Sequence, residues 1–285
     1  MILVFGKTGQ VATELRAFKD IKALGREHVD LANAKACRDA IIFYKPIAVI
    51  NAAAYTAVDK AESEANLVER INADAPAAMA SACAELKIPL VHISTDYVFD
   101  GSGTAPWATS DIPSPQNVYG RSKLLGEQNI VSSGCTYAIL RTSWVVSVNG
   151  NNFFKTMLQL SEKRDSLAVV DDQIGGPTCA SDIAQTCVSI AKQLIKEPDK
   201  TGVYHYTGQP DVSWCQFANA IFEQIGSRTV ANPIPTSDYP TPASRPLNSR
   251  MDCSLIEATF NIPRPKWHDK LKDILGELEQ KHDKA

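Results

Sequence analysis

The sequence predicts an α/β fold built on a doubly wound parallel sheet, and three observations predict it. Short apolar runs alternate with longer segments of helical spacing through the first two-thirds of the chain. Several of those runs are apolar throughout, as a strand buried on both faces requires. The first run stops at a glycine turn that opens directly into a helical segment, the place where such sheets bind anions.

Each element follows from its pattern. Strands are expected at Ile2–Phe5, Ile21–Leu24, Ala48–Asn51, Leu90–Ser94, Thr136–Arg141, Leu167–Val170 and Gly202–Thr207. Helices are expected at Thr8–Phe18, Ala34–Tyr44, Asp74–Leu86, Asn117–Val131, Asn152–Glu162 and Ser213–Ile225. The alternation brings the strands parallel, with helices covering both faces. Composition shifts after about residue 200. The passage Asn232–Pro246 carries prolines at 233, 235, 240, 242 and 246, so it is expected to wrap the surface rather than join a ladder. An amphipathic helix at Trp267–Gln280 precedes a polar tail expected to fray. The division that results is a cofactor domain over residues 1–150, with sheet elements also from about 165–200. Residues 151–285 are then mainly a smaller C-terminal substrate-binding domain.

A chain of 285 residues can bury such a core. A formal net charge of −3 gives no bulk attraction to nucleic acid or to a membrane surface. There is no basic leader and no apolar run of roughly 18 residues, so neither a signal peptide nor a membrane span is expected and the location reads as cytoplasmic. The seven cysteines are scattered without a C-x-x-C pair, and the five histidines are isolated. Reduced core thiols are expected, without a zinc site.

The glycine turn reads Gly6-Lys7-Thr8-Gly9-Gln10-Val11-Ala12. Residues without bulky Cβ groups let backbone N–H groups approach a pyrophosphate, and the following helix start favours the anion. This is the arrangement of a Rossmann-type dinucleotide site, with Gly6, Gly9, Gln10 and Val11 as its first candidates. The second strand ends Leu24-Gly25-Arg26, without an acidic residue to accept from a free ribose hydroxyl. Glycine leaves room there, and Arg26 can pair with a 2′-phosphate. NADPH is therefore the expected cofactor, with NADH as the alternative. Cofactor candidates continue through Asp30 and Leu31, and through Ala54, Tyr55 and Thr56 where the third strand ends in small residues. Ile93 on the fourth strand completes them.

Tyr119 and Lys123 stand four residues apart at the start of a predicted helix, hence on one face. The fourth strand ends Ser94-Thr95-Asp96-Tyr97, at the carboxyl edge where ligands of such sheets bind. Its threonine hydroxyl can bond the same substrate oxygen that the tyrosine protonates.

The stretches GKTGQVA, NAAAYTAVDKAE, ISTDYVFDG, NVYGRSK, RTSWV, GNNFFKTML and PTPASRPLNSR run from residue 6 to residue 250. In that order they resemble the dTDP-4-dehydrorhamnose reductase (RmlD) family of the extended short-chain dehydrogenase/reductase superfamily. The resemblance implies hydride transfer to the C4 ketone of dTDP-4-dehydro-L-rhamnose, a step in making rhamnose for cell-surface polysaccharide. Tyr119 is the implied general acid. Lys123 would lower its pKa and hold the nicotinamide ribose, and Thr95 would share the oxyanion. Thr95, Asp96, Trp144, Asn152 and Arg245 are the implied substrate contacts, with Arg250 beside them. Sugar dehydratases of the superfamily carry glutamate where this chain has Tyr97, so simple reduction is favoured over elimination. Some family members bind magnesium through glutamates at a dimer contact. Glu14 matches one such position, but the later one reads Ser181-Asp182, so magnesium is left open with Glu14 as a candidate ligand, and a homodimer is possible.

Two other readings stay open at this point. The same fold carries other nucleotide-sugar 4-ketoreductases and epimerases. It also resembles the regulatory subunit of methionine adenosyltransferase, a non-catalytic role against which the retention of Thr95, Tyr119 and Lys123 argues.

Overall fold

The computed structural model describes residues 1–282, so the last three residues of the polar tail lie outside the described residues. Six parallel strands form the central sheet: β1 (Ile2–Phe5), β2 (Ile21–Leu24), β3 (Ala48–Asn51), β4 (Leu90–Thr95), β5 (Tyr137–Thr142) and, late in the chain, Gly202–His205. Their spatial order places β2, β1, β3, β4 and β5 side by side, with Gly202–His205 outside β5. Strand order reverses between β1 and β3, and the carboxyl edge at such a switch point is where doubly wound sheets bind ligands.

Side chains alternate between the two sheet faces, and both faces are covered. Ile2, Val4, Ile50, Val91 and Leu140 pack against α1 (Gln10–Leu15) and a long helix at Ala180–Lys196. Leu3, Phe5, Val49, Leu90 and Ile139 pack against α2 (Ala34–Tyr44), α3 (Ala75–Leu86) and Ile130 of α4 (Val118–Ser132). The predicted first helix is cut to six residues, because the chain turns at Arg16 to reach β2. The helix at 180–196 was absent from the sequence reading. So were a short helix at Ala65–Glu69 and the π-turn Arg70–Asp74 that leads into α3.

One assignment needs correction. The strand near 167–170 was expected among the sheet elements of the cofactor domain. It is β6 (Ser166–Val170), and it pairs outside the central sheet with Val230–Ile234. A second correction follows from that pairing: Pro233, in the passage expected to avoid ladders, sits within this strand. A two-stranded ribbon has an open edge, where a missing N–H costs nothing. This ribbon, α5 (Phe153–Ser161), the helix Trp214–Gln224 and the C-terminal helix enclose a separate apolar cluster with Phe154, Phe217, Ile221 and Trp267. The later helix Ser254–Phe260, by contrast, returns to the central sheet through Ile256 and Phe260.

All seven cysteines are buried and unpaired. Among the described residues, no helix is long and apolar enough to cross a membrane.

Candidate active site

One cleft of about 1700 Å³ runs along the carboxyl edge of the sheet, from the glycine turn to the smaller cluster. Gly6 adopts φ +116°, and a Cβ there would press on Ala12 Cβ at 3.1 Å and Ala52 O at 3.2 Å. A side chain at Gly9 would project into open space at the cleft wall, so its absence leaves a cradle for a phosphate. Gln10 and Val11 line the cleft beside them, as do Ala54, Tyr55, Thr56 and Ile93. Asn72, from the π-turn, fixes the third of these segments. Its amide accepts from Tyr55 N at 2.8 Å and donates to Tyr55 O at 3.1 Å and Ser122 Oγ at 3.0 Å.

At the end of β2, Arg26, Asp30 and Leu31 also line the cleft. The arginine side chain is 81% exposed and lies 4.0 Å from Asp30, so it remains available to an incoming phosphate. The expectation of a carboxylate-free ribose corner needs correction. Glu27, two residues beyond Gly25, folds back so that its Oε2 lies 2.2 Å from where a Gly25 Cβ would stand. It pairs with Lys7 and with His28 Nδ1. The room made by Gly25 is therefore occupied by an acid that sequence spacing did not reveal.

Helix α4 carries the catalytic candidates. Asn117 caps it, accepting from Gly120 N at 2.8 Å, and its Nδ2 donates to Ser244 O at 2.9 Å. Tyr119 and Lys123 project from one face, and both line the cleft. The Tyr119 phenol stands beside Thr95, and its ring meets Tyr97 edge-on at 5.5 Å. Burial nevertheless pushes its pKa up to about 12. This differs from the acidified phenol expected from a neighbouring ammonium, because burial outweighs the favourable influence of Thr95; one turn along the same helix face stands Lys123. Its Nζ turns to the sheet, donating to Ile93 O at 2.8 Å and lying 2.9 Å from His92 Nε2. Burial lowers Lys123 to about 8, against the pull of Glu127. Glu127 is itself paired with Arg141 at 2.7 Å and accepts from Ser94.

Asp96 is buried below Thr95, with one carboxylate oxygen accepting from Ser249 and the other from Thr95 Oγ1 at 3.1 Å. Burial raises it to about 6. Trp144 lines the cleft at φ +49° and stacks on Trp214 at 3.5 Å. Arg245 Nη2 donates to Asp59 at 2.6 Å, while its Nη1 is buried without a partner. Asn152 is not brought to the cleft lining. Its amide caps α5, accepting from Lys155 N, and donates to Gln10 Oε1 at 2.9 Å and Ser147 O at 2.8 Å, so it braces the glycine turn instead. Arg250 is likewise turned away, to Asn248 Oδ1 at 3.1 Å.

Thr142 Oγ1 and Ser143 Oγ, at the end of β5, are buried in the cleft lining with no hydrogen-bond partner. Buried hydroxyls are rarely left unpaired, so these two and Arg245 Nη1 are groups that a polar ligand would satisfy. Sequence reasoning did not single out Thr142 or Ser143. The rule that exposed Thr95, a hydroxyl at the carboxyl end of a central strand, applies equally to them.

The sequence profile of the family described as RmlD substrate binding domain matches residues 1–280. The chain belongs to this family. A dTDP-4-dehydrorhamnose reductase of Sinorhizobium fredii is 41% identical over 287 residues, 97% of each chain. Among solved structures, a dTDP-4-dehydrorhamnose reductase of Clostridium acetobutylicum superposes with a TM-score of 0.90 at 35% identity, covering 98% of this chain and 99% of that one. The enzyme of Bacillus anthracis, solved in complex with NADP, gives 0.90 at 32% identity over 97% and 98%. Glu14, the residue that matches the family's magnesium position, accepts through Oε1 from Asn149 Nδ2 at 2.8 Å. Among the described residues, no three His, Cys, Asp or Glu side chains gather as metal ligands.

Proposed function

We propose that this chain reduces the C4 ketone of dTDP-4-dehydro-L-rhamnose to the alcohol of dTDP-L-rhamnose, with NADPH as the reductant. The observation that carries the reading is the meeting of Tyr119, Thr95 and Lys123 on the wall of a single cleft. That cleft joins a phosphate cradle to an aromatic, arginine-bearing half, in a chain of the RmlD family.

The cofactor supplies the hydride when bound. The turn at Gly6 and Gly9 would hold its pyrophosphate, and Arg26 with Lys7 would face its 2′-phosphate. Reduction then needs one proton on the carbonyl oxygen. A phenol held near 12 keeps that proton at neutral pH, so Tyr119 is loaded as a general acid rather than poised as a base. Thr95 beside it would supply a second contact for the developing oxyanion. Lys123 is the nearby cationic acid that restores the phenol's proton.

Elimination would need a carboxylate free to act as a base. Asp96 has both oxygens engaged, and Tyr97 stands where a dehydratase carries glutamate, so the arrangement supports reduction. Arg245 Nη1 is suited to the diphosphate, and Trp144 with Trp214 to the sugar and base faces.

The test is turnover of dTDP-4-dehydro-L-rhamnose by the purified chain with NADPH and with NADH, the product identified by NMR. Reduction at C4 with a higher kcat/KM for NADPH is expected. Turnover of a different 4-keto nucleotide sugar alone would move the assignment to that sugar. No oxidation of either cofactor with any such sugar would leave a non-catalytic role.

A further inference from the structure

Beneath the catalytic helix lies a buried chain of polar groups that the reaction as described does not use. Asn51 on β3 and His92 on β4 are partners in register, and both are almost fully buried. Asn51 Nδ2 lies 3.0 Å from His92 Nδ1, and His92 Nε2 lies 2.9 Å from Lys123 Nζ. At the other end, Asn51 Oδ1 accepts from the backbone N–H of Ala53 at 3.2 Å.

The donor and acceptor roles along this chain can be counted. A backbone N–H can only donate, so Ala53 fixes the Asn51 oxygen toward itself and the Asn51 NH₂ toward His92. His92 Nδ1 must then accept, which places the ring proton on Nε2, pointing at Lys123. An ammonium has no lone pair, so a charged Lys123 would meet that proton donor to donor. Turning the Asn51 amide over moves the clash to Ala53 without removing it. An uncharged amine satisfies every group, accepting from His92 and donating to Ile93 O.

We propose that His92, held by Asn51, is a positioning residue that donates its Nε2–H to Lys123 and stabilises the uncharged amine left when Lys123 gives up a proton. Resting on the reductase reading, the step balances simply. The Tyr119 O–H breaks as its proton goes to the substrate oxygen. An N–H of the Lys123 ammonium then breaks to rebuild the phenol, and the freed lone pair accepts from His92. The departing charge is replaced from solvent after the alcohol leaves. The charged and titratable groups around Lys123 are consistent with this. Glu127, one turn along α4, favours the ammonium but is neutralised by Arg141 on β5. Asp96 and Tyr119 line the same cleft, and the imidazole itself stays neutral because burial and Lys123 both depress its pKa.

The direct test is the ¹⁵N NMR spectrum of the histidine side chains in the full-length chain without cofactor or sugar, with His92 assigned by comparison with H92Q. At a pH above about 8, where Lys123 is the free amine, a neutral ring protonated at Nε2 is expected. A ring protonated at Nδ1 would overturn the proposal. This readout is independent of turnover, so failure to reduce the sugar would sink the functional reading and leave the tautomer standing.

Kinetics supplies the second measurement. In H92M the donor is gone, the ammonium is favoured, and the alkaline limb of the kcat profile moves up by about one pH unit, a tenfold change in proton affinity. The KM for NADPH is expected to stay unchanged. Gln can present an N–H at the same reach, so H92Q should restore the limb toward its original position. Equal profiles for H92M and H92Q would refute the role, and if H92M fails to fold, the tautomer measurement decides alone.

Discussion

Gly120 stands between Tyr119 and Lys123, and replacing it with alanine sets two effects against each other. Within α4 the backbone is helical, so alanine alone would stabilise the helix by about 0.5–1 kcal/mol. The new Cβ, however, would lie 2.1 Å from Tyr97 O and 3.0 Å from Pro115 Cβ. Carbon and oxygen do not approach closer than about 3 Å, so roughly 1 Å of separation must be found. The obstacle is backbone, and neither side yields easily. The turn at Asp96–Val98 is tied down by Ser249 on Asp96 and by Tyr97 N on Thr95. The helix is tied down by Lys123 on Ile93 O and by the Glu127–Arg141 pair.

The displacement therefore opens the contact between Tyr119 and Thr95. A misplacement of about 1 Å at reacting groups costs on the order of 100-fold in rate, or about 2.7 kcal/mol of transition-state stabilisation. Overpacking should cost about 1–3 kcal/mol of stability as well, exceeding the helix gain. Steady-state kinetics of Gly120→Ala with the dTDP sugar, beside its thermal melt, reads both quantities. A kcat/KM within twofold of the parent would refute the claim that this turn and this helix hold Tyr119 on Thr95.

Tyr119→Phe removes the proton donor while keeping the ring against Tyr97, so kcat should fall by about 10²–10⁴, with NADPH binding retained in a fluorescence titration. Arg26→Ala should raise the KM for NADPH about fivefold and leave that for NADH unchanged, the modest size reflecting a solvent-exposed side chain. Glu27→Gln should move the two values the opposite way, which the same assay reads. Asp96 binds its proton more tightly in the folded chain than its ordinary value of 3.8, at about 6. Its protonated form is thus the stabilising one, and that contribution is present below 3.8 and lost as pH rises toward about 6. The unfolding free energy from urea titrations across this window should fall with rising pH by an amount of order 3 kcal/mol in the parent and show a flatter slope in Asp96→Asn.

The strands β1, β3, β4 and β5 were legible because burial on both faces leaves few choices of residue, and such runs stand out. Which sheet a strand joins was less legible. In β6 the residues Ser166 and Ala168 are exposed while Leu167 and Val169 are buried, a one-sided pattern unlike the fully buried β1 and β3. The helix at 180–196 had a signal that was passed over: Ile183, Ala184, Cys187, Val188, Ile190, Ala191 and Leu194 all fall on its buried face at helical spacing. At the site, Tyr119, Lys123 and Thr95 could be paired from spacing and strand ends alone. Glu27 and Asn152 could not, since each is placed by where its side chain folds back. Glu27 reaches over a glycine, and Asn152 spends its amide on a helix cap and on Gln10.

The polar residues of the buried strands carry the deeper lesson. On β3, β4 and β5 the side chains facing α2, α3 and α4 are apolar until the carboxyl ends, where Asn51, His92, Ser94 and Arg141 replace them. Register pairs Asn51 with His92 and Ser94 with Arg141 across neighbouring strands. Four polar side chains there, unpaired, would each cost several kilocalories per mole. The sheet tolerates them because α4 lowers Lys123 and Glu127 onto the patch, so that His92, Ser94 and Arg141 each meet a group on the helix while Asn51 is satisfied by His92 and Ala53. A break in an otherwise apolar pattern, repeated at the same edge of adjacent strands, is thus a sequence-level sign that a polar helix face must pack there. In this chain that face belongs to the helix that also presents Tyr119, which makes the buried side of α4 the support for its reactive side.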